Sequence, residues 1–77
     1  MILVVNASDL DAEDAVAETL KKYPRFFSVK SRNMTASSLD LVVELRTEQG
    51  SALVRDIMKL HGITSASLLA HDGEVTF

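Results

Sequence analysis

Residues 2–6 read ILVVN, a β-branched run that is apolar on both faces and predicts a strand buried on both sides. Asn6, Ala7, Ser8 and Asp9 then make a polar turn. Beyond it the period lengthens. Ala12, Val16, Leu20 and Tyr23 recur at helical spacing, and Pro24 stops the helix they predict. Asp11 and Asp14 resemble a capping pair at its start, and Lys21 and Lys22 complement the helix dipole at its end. Over residues 25–35 the period shortens to two, with Phe27, Val29 and Ser31 on one face and Phe26, Ser28, Lys30 and Arg32 on the other. That is a half-solvated strand, and its basic side chains suit a sheet edge. A polar turn over residues 35–38 leads into Leu39, Leu41, Val43 and Leu45, which alternate with Asp40, Val42, Glu44 and Arg46 in a one-sided strand. Two such strands joined by so short a loop predict an antiparallel hairpin.

Gly50 and Ser51 open a second helix, in which Leu53, Val54, Ile57, Met58 and His61 follow helical spacing and Leu60 widens the stripe. Gly62 stands where a glycine ends a helix. Residues 63–70 form a last main strand with Ala66, Leu68 and Ala70 on one face. Asp72–Gly73 is a turn signal, and residues 74–77 can add only a short strand after it. The order β-α-β-β-α-β with a C-terminal ribbon predicts an α+β, ferredoxin-like sandwich as a single domain over residues 1–77. Two right-handed crossovers place both helices on one face of a four-stranded antiparallel sheet. The other face is left to solvent, a ligand or a partner. Val42 falls on that face with Leu69 and Phe26, rimmed by Lys30, Arg32, Asp40, Glu44 and Arg46. Such a patch predicts an association surface. Phe26, Lys30, Arg32, Val42, Glu44 and Leu69 are its candidate interface residues, and a homodimer is the expected assembly.

Composition narrows the chemistry. The chain has 77 residues, 47% hydrophobic and 25% charged, so it is neither disordered nor large enough for a second domain. It has no cysteine, which removes disulfides, thiolate metal sites and cysteine nucleophiles together. A net charge of −3 argues against a nucleic-acid partner. The longest apolar stretch, residues 1–5, is far short of the about 20 residues a membrane helix needs. Residue 1 enters a strand at once with no basic leader, which suits either a small complete protein or a domain of a longer chain.

Little catalytic chemistry is visible. His61 and His71 lack a metal-ligand spacing, no serine sits in a G-x-S-x-G elbow, and three glycines are too dispersed for a phosphate loop. Asp11 and Asp14 suit capping better than acid/base work. The basic residues Lys21, Lys22, Arg25, Lys30 and Arg32, interleaved with Tyr23, Phe26 and Phe27, could meet an anionic lipid surface or an acidic partner. The central strands carry no stacking aromatics of the RNA-recognition type. Among families of this fold, the Cys-x-x-Cys loop of copper chaperones is missing, and the first loop, NASDLD, lacks the Gly and Arg of acylphosphatases and the Gly usual in ACT domains. No enzyme activity, cofactor or metal is expected.

ILVVNASD, KSRN, LDLVVELR and HGITSASLLAHDGE resemble, over nearly the whole chain, the soluble ferredoxin-like C-terminal domain of an uncharacterised bacterial family of multi-pass membrane proteins, related to the C-terminal domain of MgtC-type proteins and to ACT domains. The resemblance implies a non-catalytic regulatory or oligomerisation module, cytoplasmic and tethered to the inner face of the membrane, with a membrane-embedded partner or parent chain. It carries over no site residues. A free-standing ACT-like sensor of small ligands is the alternative, with Asn6, Ala7, Ser8 and Asp9 as the ligand loop.

Overall fold

A strand that is apolar on both rows and flanked on both sides by other strands presents one row of side chains to each layer, and β1 (Ile2–Ala7) does so. In the computed structural model, which describes residues 1–23 and 26–69, Leu3, Val5 and Ala7 are buried while Ile2, Val4 and Asn6 are half-buried. β3 (Leu39–Arg46) pairs antiparallel beside it, with Leu39, Leu41, Val43 and Leu45 buried on the same side. β2 (Phe26–Met34) and β4 (Ile63–Leu69) form the edges, giving the sheet order β2-β3-β1-β4 with every pairing antiparallel. Two helices, α1 (Ala12–Leu20) and α2 (Gly50–Met58), complete the βαββαβ order. Ala12, Val16 and Leu20 of α1 and Leu53 and Ile57 of α2 share one core with the inner rows of β1 and β3, so both helices cover one face. This is the ferredoxin-like α+β fold.

Within that frame several local expectations are corrected. α1 begins at Ala12 after Asp11, but no side chain caps it. Instead the Asp9 carboxylate accepts from the Asp11 N–H at 2.9 Å, and the Asp9 carbonyl accepts from the Ala12 N–H at 3.1 Å. The Asx turn at Asp9, two residues earlier than the cap read from Asp11 and Asp14, starts the helix. α1 ends at Leu20, and Tyr23 follows in a turn, half-buried against the core. α2 ends at Met58, so His61 lies in the exposed turn after the helix and not in its last turn. Met58 is 43% exposed and falls off the buried stripe, which runs through Leu53 and Ile57 with Val54 and Leu60 at its margin. Ala70, His71, the Asp72–Gly73 turn and the expected short strand lie outside the described residues, as do Pro24 and Arg25.

The largest correction concerns β2. Its pairing with β3 shifts between Val29 and Ser31, so Lys30 is an extra residue in a β-bulge. Before the bulge Phe27 and Val29 stand opposite Leu45 and Val43 on the helix side. After it Arg32 and Met34 stand opposite Leu41 and Leu39, while Ser31 and Asn33 stand opposite Val42 and Asp40. One additional residue exchanges the faces of everything beyond it. Arg32 therefore belongs to the helix side of the sheet and Ser31 to the open side, the reverse of the strict alternation.

The turn between α2 and β4 holds the first loop in place. Gly62 has φ +85°, and a Cβ there would stand 2.3 Å from Asp9 Cβ. Its carbonyl accepts from the Ser8 N–H at 2.7 Å. Replacement by Ala combines a left-handed backbone with a clash, and we expect Gly62→Ala to cost about 1–3 kcal/mol. A urea titration checks it: the midpoint should fall with the slope unchanged.

Candidate functional site on the open face of the sheet

The helix-free face is built from the outward rows of all four strands. Ile2, Val4 and Asn6 of β1 stand opposite Glu44, Val42 and Asp40 of β3, and opposite Leu69, Ser67 and Ser65 of β4. The centre of the face is therefore an aliphatic strip of Ile2, Val4 and Val42 that runs out to Leu69, which is 52% exposed. β-branched residues on neighbouring strands favour this flat surface because their Cβ branches pack across the pleat.

Polar side chains border the strip. Lys30 Nζ lies 3.5 Å from Glu44 Oε1, an ion pair between β2 and β3 with both members partly solvated. Asn6 Nδ2 donates to Ser65 Oγ at 2.7 Å, and Thr64 Oγ1 donates to the Asn6 carbonyl at 2.9 Å where β4 carries its own register shift. Of the interface residues expected from the pattern, Lys30, Val42, Glu44 and Leu69 come together on this face. The Phe26 backbone pairs with Arg46, and its side chain lies outside those described. Arg32 does not join them. Its Nε donates to both Glu13 carboxylate oxygens, at 2.8 and 2.9 Å, tying edge strand β2 to α1 and raising the guanidinium pKa further above its ordinary value.

The expected ligand loop is held by its own neighbours. Ala7 is part of the core, the Ser8 N–H and hydroxyl both donate to the Gly62 carbonyl, and Asp9 serves the turn into α1. Concavity lies instead at the opposite end of the domain. A shallow groove of about 760 Å³ runs between Met1, Leu68 and the start of α2, lined also by Val54 and Arg55. Beside it a smaller cleft of about 360 Å³ lies between Tyr23 and residues 46–49. The Tyr23 hydroxyl donates to Asp56 across the two helices. That bond, followed by partial loss of solvent and the Asp56 charge, raises the phenol above the ordinary tyrosine pKa of 10.0, and the Arg55 charge opposes it. Thr47 is buried beside the cleft, where its hydroxyl accepts from the Gln49 N–H at 3.0 Å. Neither the Tyr23–Asp56 nor the Glu13–Arg32 contact has a sequence signature, because the partners lie 33 and 19 residues apart.

Among the described residues no three His, Asp or Glu side chains converge as a metal would require, and no helix is long and apolar enough to cross a membrane. No protein-family model, curated protein or solved structure matches the chain.

Two outcomes follow from the pairs just described. Charge reversal in Arg32→Glu should lower the urea midpoint, and the swap Glu13→Arg/Arg32→Glu should recover most of the loss; a cycle with no coupling would deny the contact in solution. Tyr23 has a raised folded-state pKa, so its contribution is complete below the ordinary tyrosine value and is lost as pH climbs past it. Stability measured from neutral to strongly alkaline pH should show that late decline in the wild type and a flatter one in Tyr23→Phe.

Proposed function

We propose that this domain is a non-catalytic regulatory or oligomerisation module, that it pairs with a second copy through the helix-free face of its sheet, and that it serves as the cytoplasmic part of a bacterial membrane protein, next to a membrane-embedded partner or parent chain. The observation that carries the pairing is the strip Ile2, Val4, Val42 and Leu69, aliphatic and uncovered by either helix. An apolar sheet face is costly to leave in water, and a second copy of the same face is its simplest cover. Charge supports a self-complementary contact, since Lys30 and Glu44 offer both signs at one border and can exchange partners across a two-fold axis. Support for the membrane setting comes from the resemblance of ILVVNASD, KSRN, LDLVVELR and HGITSASLLAHDGE described above.

Light scattering is the direct test. The wild type should be dimeric at micromolar concentrations, and Val42→Glu, which places a carboxylate in the middle of the strip, should weaken the dimer by about 100-fold or more while leaving the circular dichroism unchanged. A wild type that stays monomeric at high micromolar concentration overturns the pairing. The membrane setting is tested separately, with an antibody to this domain on membrane and soluble fractions of the source cells. A larger band in the membrane fraction is expected, and a soluble band near 8.4 kDa overturns it.

A further inference from the structure

Charge is sorted between the two ends of this domain. At one end the β1–α1 loop and the first turn of α1 carry Asp9, Asp11, Glu13 and Asp14. At the other end α1 closes, β3 closes, α2 opens and β4 closes, and the exposed cations Lys21, Lys22, Arg46 and Arg55 come together from three segments far apart in sequence. Their placement is fixed by shared surroundings. Arg46 and Tyr23 line one cleft with residues 47–49, Arg55 lines the adjoining groove with Thr47 and Glu48, and the Arg55 charge acts on the Tyr23 hydroxyl. Lys21 and Lys22 directly precede Tyr23 in the turn that ends α1.

The helix dipole accounts for Lys21 and Lys22 at the C-terminus of α1 and for Arg55 in the last turn of α2, but not for Arg46 at the end of a strand. Internal pairing does not account for the cluster. Glu18 holds Lys21 at 3.3 Å, but Lys22, Arg46 and Arg55 have no salt-bridge partner among the described residues. Of the neighbouring acids, Asp56 is taken by Tyr23 and Lys59, and exposed Glu48, which lines both clefts, offsets one of the four cations and leaves the end with an excess of positive charge. The opening turn of α2 carries no acid, so its partial positive charge adds to the field.

We propose that this basic end rests on an anionic lipid headgroup surface, with the acidic end turned away. The four cations lie on three segments and are all exposed, where a site for a single phosphate would converge them on a buried cleft. Met1, Val54 and Leu68 line the groove between them and give the contact an apolar component suited to the headgroup boundary. A single-stranded nucleic acid fits less well, because among the described residues the clefts hold one aromatic ring, Tyr23, on which a base could stack. This inference rests on the tethered-module reading for its biological setting. Each basic residue near an anionic leaflet gains about five-fold in partition, so the contact orients a domain already held at the membrane.

Co-sedimentation of the purified chain with vesicles tests it. Binding is expected to vesicles rich in phosphatidylglycerol and not to phosphatidylcholine vesicles, to weaken as salt is raised, and to fall about ten-fold or more in Lys21→Glu/Lys22→Glu. Lys59→Glu, a cation beyond the end of α2, should bind like the wild type. Arg46→Gln/Arg55→Gln provides a second variant at exposed positions should the lysine pair disturb folding, and it too should bind less. Equal partition into both kinds of vesicle, or binding unchanged in both basic-end variants, overturns the proposal. So does displacement by millimolar inorganic phosphate at constant ionic strength, which would mark a discrete anion site in place of a surface. The lipid-free dimer measurement and the cell fractionation report on the other readings, so a failure here is separable from theirs.

Discussion

Leu39, Leu41, Val43 and Leu45 stand beside Leu3, Val5 and Ala7 in one layer beneath the two helices, and this layer has no substitute. The chain has no cysteine to staple it, and the hydrogen bonds of the sheet replace bonds the unfolded chain makes to water. Folding therefore depends on closing Val16, Leu20, Leu53 and Ile57 onto that layer with no exposed remainder. A domain of this length is expected to be stable by roughly 4–12 kcal/mol, and truncating one buried leucine costs about 2–5 kcal/mol, so a single core position holds a large share of the whole. Polar contacts such as Glu13–Arg32 and Tyr23–Asp56 orient the edges of this core and do not replace it.

Because one face of the central strands is fully occupied by helices, the other face is where the fold leaves surface chemistry free to vary. Its aliphatic strip is a by-product of strand physics as much as of function, since β1 between two partners favours β-branched side chains on both rows. What distinguishes this sheet is that the strip continues to Leu69 on an edge strand, where neither neighbour packing nor helix cover requires an aliphatic residue.

The fold was legible because β1, β3 and the Leu53–Ile57 stripe show strong contrast between apolar and polar rows, and the βαββαβ order admits few right-handed arrangements. Val42, Glu44 and Leu69 were placed correctly for the same reason. Arg32 was not. Beyond Val29 the strand reads Lys-Ser-Arg-Asn, polar on both rows, so nothing in composition marks the change of phase that the bulge introduces. The cap at α1 was misplaced by two residues because Asp9 and Asp11 are chemically equivalent, and only the backbone turn decides which carboxylate reaches an N–H. The two ends of the molecule were hidden as well, since Arg46 and Arg55 join Lys21 and Lys22 only through the path of the chain.

Lys30 also bears on how such a domain can change over generations. An insertion or deletion inside a strand is normally ruinous, since it drives a buried row into water. Here the far half of β2 is an edge with little buried on either side, and a single extra residue already separates it in phase from the near half. Loss of the Lys30 codon would make Val29 and Ser31 neighbours as Val43 and Val42 already are on β3, so the bulge would vanish while Ser31 and Asn33 kept the open side and Arg32 and Met34 the helix side. The border of the open face would lose Lys30 and its pairing with Glu44 and nothing else, so this one position can come and go without moving its neighbours.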